Sequence, residues 1–129
     1  MHVFSVDDEP DARELIRTVL EDRGAKVTSI GSAEEALAAL KTTKPAVLIC
    51  EVGMPKTDGY QLVRTLRAEA SRGERIPALA LTAFARAEDR KRSLIAGYQA
   101  HLVKPFDVGE FVLVVADLVG SRSSRRRPG

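Results

Sequence analysis

Five positions carry side chains that could do chemistry together: Asp7 and Asp8 in "VDDEP", Glu51 in "VLICEVGMPKTDGY", Thr82 in "LALTAF" and Lys104 in "LVKPF". Each set closes or directly follows a short apolar run. Three carboxylates held close together repel unless a cation joins them, and an all-oxygen donor set favours a hard divalent ion such as Mg²⁺. A hydroxyl and an ammonium opposite that ion could hold the remaining oxygens of a phosphoryl group. Singly, these residues suggest only a helix cap, a strand-end hydroxyl and a surface cation. Jointly they point to a Mg²⁺ and phosphoryl site.

The elements that must position them are legible in the apolar pattern. Short apolar or β-branched runs alternate with amphipathic segments about every 20–25 residues, the rhythm of βα units around a parallel sheet. The expected strands are "HVFSV" (2–6), "KVTSI" (26–30), "PAVLIC" (45–50), "PALALT" (77–82) and "QAHLV" (99–103). "PAVLIC" lacks polar alternation, as befits a central strand covered on both faces.

Five helices are expected between and after them. The first has Asp8 as its cap, Pro10 in its first turn, Leu15, Ile16, Val19 and Leu20 on one face, and Gly24 as a left-handed stop. Ser32 and Glu35 stand in capping-box spacing ahead of Ala33, Ala36, Leu37 and Leu40. A third helix covers 59–69 with Leu62, Val63 and Leu66 inward, and a charged fourth lies around "RAEDRKRSLIAG". The last runs over 108–119 with Val108, Phe111, Val112, Val115 and Val119 as its stripe. The fold class is α/β: a doubly wound five-stranded parallel sheet flanked by five helices. In such a sheet, chemistry belongs in the crevice beyond the carboxyl ends of the strands.

A chain of 129 residues with 44% hydrophobic and 29% charged residues suits one folded domain. The expected domain covers 1–119. Beyond it "GSRSSRRRPG" (120–129) reads as a disordered basic tail, whose four arginines account for the net charge of +2. Without aromatics or a scaffold, that tail does not predict DNA binding. No apolar run approaches the ~20 residues of a bilayer span, and no leader pattern opens the chain, so a cytoplasmic protein without a membrane partner is expected. The single cysteine, Cys50, reads as an inert core thiol.

The order and spacing of "VDDE", the acidic strand end before "GMPKTDGY", "ALTA" and "VKPF" resemble the receiver domains of two-component response regulators over residues 2–119. The resemblance implies a flavodoxin-like receiver fold. It assigns metal binding to Asp7, Asp8, Glu51 and the carbonyl of Gly53. It assigns the phosphoacceptor position to Glu51, phosphoryl contacts to Thr82 and Lys104, and a conformational switch to Thr82 and His101. Phe84 and Pro105 border the pocket, with a cis bond before Pro105. Leu113 and Val114 lie on a face with the fourth helix and fifth strand that would serve a homodimer or an output partner. A histidine kinase or phosphotransfer protein is the implied upstream partner.

One departure stands out. The family phosphorylates aspartate, and this chain has Glu51. An added methylene advances the carboxylate and alters its angle of attack on a donor phosphate. The expectation is a signalling receiver, stand-alone or part of a hybrid sensor kinase, that is not normally phosphorylated and is partly phosphomimetic. Mg²⁺ is its expected cofactor, weakened or lost if Glu51 reaches Lys104. A Mg²⁺-dependent phosphohydrolase and a metal-free interaction scaffold are the alternatives.

Overall fold

The computed structural model describes residues 1–53, 59–69, 76–83 and 86–125, with 121–125 described by backbone only. Its elements follow in strict alternation: β1 (His2–Val6), α1 (Pro10–Glu21), β2 (Lys26–Ile30), α2 (Ala33–Leu40), β3 (Val47–Glu51), α3 (Gly59–Glu69), β4 (Ala78–Thr82), α4 (Ala87–Ala96), β5 (Ala100–Val103) and α5 (Val108–Arg125). The strands form one parallel sheet in the order β2-β1-β3-β4-β5.

Alternation along the strands divides the core into two layers. Phe4, Val6, Leu48, Cys50, Ala78 and Ala80 face the layer shared with α2, α3 and the end of α4. Val3, Val47, Ile49, Leu79 and Leu81 face the opposite layer, filled by Ile16 and Leu20 of α1 and by Phe111, Val115 and Leu118 of α5. Both faces are covered, so β3 and β4 are apolar without interruption, as a parallel sheet requires. The sheet is doubly wound.

Several expectations shift by a few positions. Leu15 is 54% exposed, because it lies about 100° from Ile16 on the helix wheel and falls at the rim of the buried stripe. Val108 is also exposed, and Leu118 takes a place in the core that the expected stripe had not included. The α1 N-cap is Glu9 rather than Asp8, with no side-chain cap bond and Pro10 at the first helical position. Gly24 has the expected positive φ of 86°. Ser32 does cap α2, its hydroxyl oxygen accepting from the Glu35 N–H at 3.1 Å. Helix α5 continues to Arg125, where a disordered tail was expected from residue 120. A Cβ on Gly120 would meet nothing within 4 Å, so the turn there is open. Arginine is a good helix former, and cations suit a helix C-terminus.

Two devices hold the strand ends in place. Gly59 opens α3 so close under β3 that a Cβ would lie 2.9 Å from Val52 Cα and 3.0 Å from the Glu51 carbonyl oxygen. Only glycine allows that approach. The buried Tyr98 hydroxyl donates to the Gly59 carbonyl at 2.8 Å, tying the start of β5 to the start of α3. At the opposite edge, the Arg67 guanidinium donates to the carbonyls of Ile76 (2.7 Å) and Gly97 (2.8 Å) and to the Gln99 amide oxygen (2.9 Å). These bonds staple α3 to the entries of β4 and β5. Replacing Arg67 by methionine keeps the aliphatic stem and takes this donor from the Ile76 and Gly97 carbonyls, while Gln99 keeps its bond from the Ala78 N–H, so we expect a loss of about 1–3 kcal/mol in urea unfolding.

Candidate functional site

Order β2-β1-β3-β4-β5 places the switch point of the winding between β1 and β3, where the helices leave the sheet on opposite faces. An open cleft of about 270 Å³ lies there, walled among the described residues by Asp7, Asp8, Glu9, Glu51, Gly53, Ala83 and Lys104. Asp7 follows β1, Glu51 ends β3 and Lys104 follows β5. Three strands of one register therefore deliver three charges to one point.

The charges are paired closely. Lys104 Nζ lies 2.7 Å from Glu51 Oε1 and 3.4 Å from Asp7 Oδ2. The second Glu51 oxygen, Oε2, accepts from the Gly53 N–H at 2.9 Å, and Asp7 Oδ1 accepts from the Glu9 N–H at 2.9 Å. Asp7 is buried and its backbone is held on both sides: its N–H donates to the Ile30 carbonyl at 3.0 Å, and its carbonyl accepts from Arg13 at 2.7 Å. The Lys104 N–H donates to the Thr82 carbonyl at 2.7 Å, and the Lys104–Pro105 bond is cis, as expected. Burial alone would pull the Lys104 pKa down. The hydrogen bond and charge of Glu51, then of Asp7, outweigh it and hold the ammonium above the usual lysine value.

The other sequence-expected residues fall variously. Asp8 is exposed at the cleft rim. Thr82 is fully buried, and Ala83 rather than Thr82 reaches the cleft wall. His101 is half-buried on β5, its Nδ1 within 2.9 Å of the buried Ser93 hydroxyl of α4. Pro105 is exposed and does not line the cleft. Phe84 lies outside the described residues. Leu113 is 71% exposed, while Val114 packs partly against the α1/α5 layer. Cys50 is fully buried.

Three contributors escaped the sequence reading. Glu9 was legible as a further carboxylate in "DDEPD", but its place on the cleft wall follows from its role as N-cap. Arg13, one turn into α1, reaches back to the Asp7 carbonyl, and Ser93 meets His101 across two elements. No spacing rule signals either contact.

A flavodoxin-like sheet with an acidic crevice at its switch point and a lysine across it defines a receiver-type α/β module. The chain belongs to the response regulator receiver domain family, which matches residues 3–116. It is 45% identical to the 14.6 kDa protein in the sodA1 3′ region of Leptolyngbya boryana, covering 89% of this chain and 87% of that protein. It is 38% identical to the response regulator Rre1 of Synechocystis over 96% of this chain, and spans 54% of that regulator's length. Among solved structures, the receiver domain of a sensor histidine kinase from Pseudomonas aeruginosa, with a magnesium ion coordinated in its active site cleft, aligns with a TM-score of 0.83 at 29% identity, covering 92% of this chain and 97% of that one. Receivers are signalling modules of two-component systems, found standing alone or within hybrid sensor kinases, and they generally bind Mg²⁺ in this cleft. No helix among the described residues is long and apolar enough to cross a membrane.

Donor types for such an ion are present in Asp7, Asp8, Glu51 and the Gly53 carbonyl, but their arrangement does not fit one. Among the described residues no three acidic, histidine or cysteine side chains gather as a metal-binding group. Glu51 reaches Lys104 instead.

The raised Lys104 pKa has a definite pH signature. Its stabilising contribution is present in full below the unfolded lysine value of about 10.4 and is lost as pH rises through the higher folded value. The stability difference between native protein and Lys104→Met, measured by urea unfolding, should stay constant from neutral pH to about 10 and change only above it.

Proposed function

We propose that this chain is a two-component receiver in which Glu51 occupies the phosphoacceptor position and which signals without being phosphorylated. The observation that carries this reading is the 2.7 Å contact between Glu51 Oε1 and Lys104 Nζ. An acceptor carboxylate must present a lone pair in line with the donor phosphorus. Here one oxygen is turned to the ammonium and the other back to the Gly53 N–H. The longer side chain thus places a fixed anion against the lysine that would otherwise meet a phosphoryl group. The imitation is partial, because a carboxylate carries one charge and two oxygens where a phosphoryl group carries nearly two charges and three oxygens.

Thr82 and His101 form the conformational part of this reading. Thr82 is packed at the end of β4 and His101 is tied to α4 through Ser93. A state set by Glu51 would therefore be read at α4, β5 and α5. Leu113 of α5 and Ile95 of α4, 71% and 79% exposed, supply apolar surface for a second copy or an output partner on that side. A histidine kinase or phosphotransfer protein remains the upstream partner class. The phosphohydrolase alternative has less support, since both Glu51 oxygens are engaged, one by Lys104 and one by the Gly53 N–H.

Intact mass after incubation with acetyl phosphate and Mg²⁺ tests the reading. Native protein should remain unmodified, and Glu51→Asp should gain one phosphate. Uptake by the native chain refutes the proposal, and failure of both proteins favours a scaffold with no phosphoryl chemistry. For the docking face, Leu113→Glu should change stability by no more than about 0.5 kcal/mol. It should also shift native dimers to monomers in sedimentation velocity, whereas a monomeric native protein removes the homodimer.

A further inference from the structure

The carboxylates at the end of this sheet already have a cation. One ammonium bridges Glu51 Oε1 at 2.7 Å and Asp7 Oδ2 at 3.4 Å. The remaining oxygens of both groups accept backbone N–H bonds, from Gly53 and from Glu9. A Mg²⁺ shared by the same two carboxylates would sit about 2.0–2.1 Å from their oxygens in near-octahedral geometry. The oxygens that would bind it are already engaged by the ammonium and by the Gly53 and Glu9 N–H groups, and an ion on them would lie close to the ammonium. Two cations so close repel, and the main chain of Lys104 is pinned by its 2.7 Å bond to the Thr82 carbonyl. Metal entry therefore requires the lysine side chain to swing away from both carboxylates.

The length of Glu51 makes that exchange unfavourable. One oxygen reaches the lysine while the other closes the turn at Gly53, so an ion could gain Glu51 as a ligand only by displacing the ammonium from it. Resting on the reading of Glu51 as occupant of the acceptor position, we propose that Lys104 is the permanent counter-cation of this crevice and that the native chain takes up no Mg²⁺. Charge balance at the strand ends is then internal, and the state of the module does not follow the concentration of divalent ions.

The test is a titration of magnesium chloride alone, with no phosphodonor, into isotope-labelled native protein, Lys104→Met and Glu51→Asp, read by amide NMR shifts and by Tm. Native protein should show no saturable response at millimolar Mg²⁺. Lys104→Met, with its carboxylates uncompensated, and Glu51→Asp, with its carboxylate drawn back from the lysine, should each show saturating shifts at Asp7, Asp8 and Gly53 and a rise in Tm. A saturable response of the native chain overturns the proposal, as does a folded Lys104→Met that remains indifferent to the ion. If Lys104→Met is unfolded without metal, Glu51→Asp decides: a magnesium response absent from native protein supports the proposal, and none overturns it. Magnesium binding by native protein without phosphate uptake defeats this inference alone, whereas phosphate uptake by native protein defeats the functional reading beneath it.

Discussion

A single lysine ammonium between two carboxylates is the contact on which the carboxyl end of this sheet depends. Asp7 and Glu51 arrive from adjacent parallel strands, and burial would make their mutual repulsion costly. Lys104 removes that cost from two strands away, because β4 lies between β3 and β5 and carries the Thr82 carbonyl that holds the lysine backbone. The pair links the first, third and fifth strands in one electrostatic unit. Its partial exposure keeps it adjustable, since a half-wet ion pair is neither as rigid nor as costly to break as a fully buried one.

The rest of the fold serves to present that unit. Parallel strands put all their carboxyl ends on one edge, and the reversal of winding between β1 and β3 leaves an open cleft there among the described residues. The two apolar layers press on the sheet from both faces and give the strand ends little freedom. Gly59, Tyr98 and Arg67 fix α3 against β3, β4 and β5, so α3 begins at a fixed point beside the end of β3. On the α4–β5 side, Tyr98 bonds to the Gly59 carbonyl at the start of α3 and Ser93 bonds to His101 of β5.

The architecture could be read from the chain because its signals are local. Periodicity, a proline at the first turn of α1, a positive-φ glycine after it and a serine cap on α2 act within a few residues, and each appears where the pattern implied. The strand limits moved by one or two residues and α5 ran on past Gly120, since helix ends depend on small differences between fraying and continuation. Leu15 and Leu118 were misjudged for another reason: a wheel gives an angle, but the neighbouring helix decides how wide the covered face is.

The kinds of residue at the site were also written in the chain, as acidic, hydroxyl and ammonium side chains at successive strand ends. Which of them touch was not. Asp8 at the rim, Ala83 in place of Thr82 on the cleft wall, Arg13 on the Asp7 carbonyl and Glu51 on Lys104 all result from strand register and side-chain length acting across dozens of residues. Sequence names the charges that must be balanced. Only the folded sheet decides which charge balances which, because that choice turns on distances of an ångström between groups that the chain alone leaves far apart.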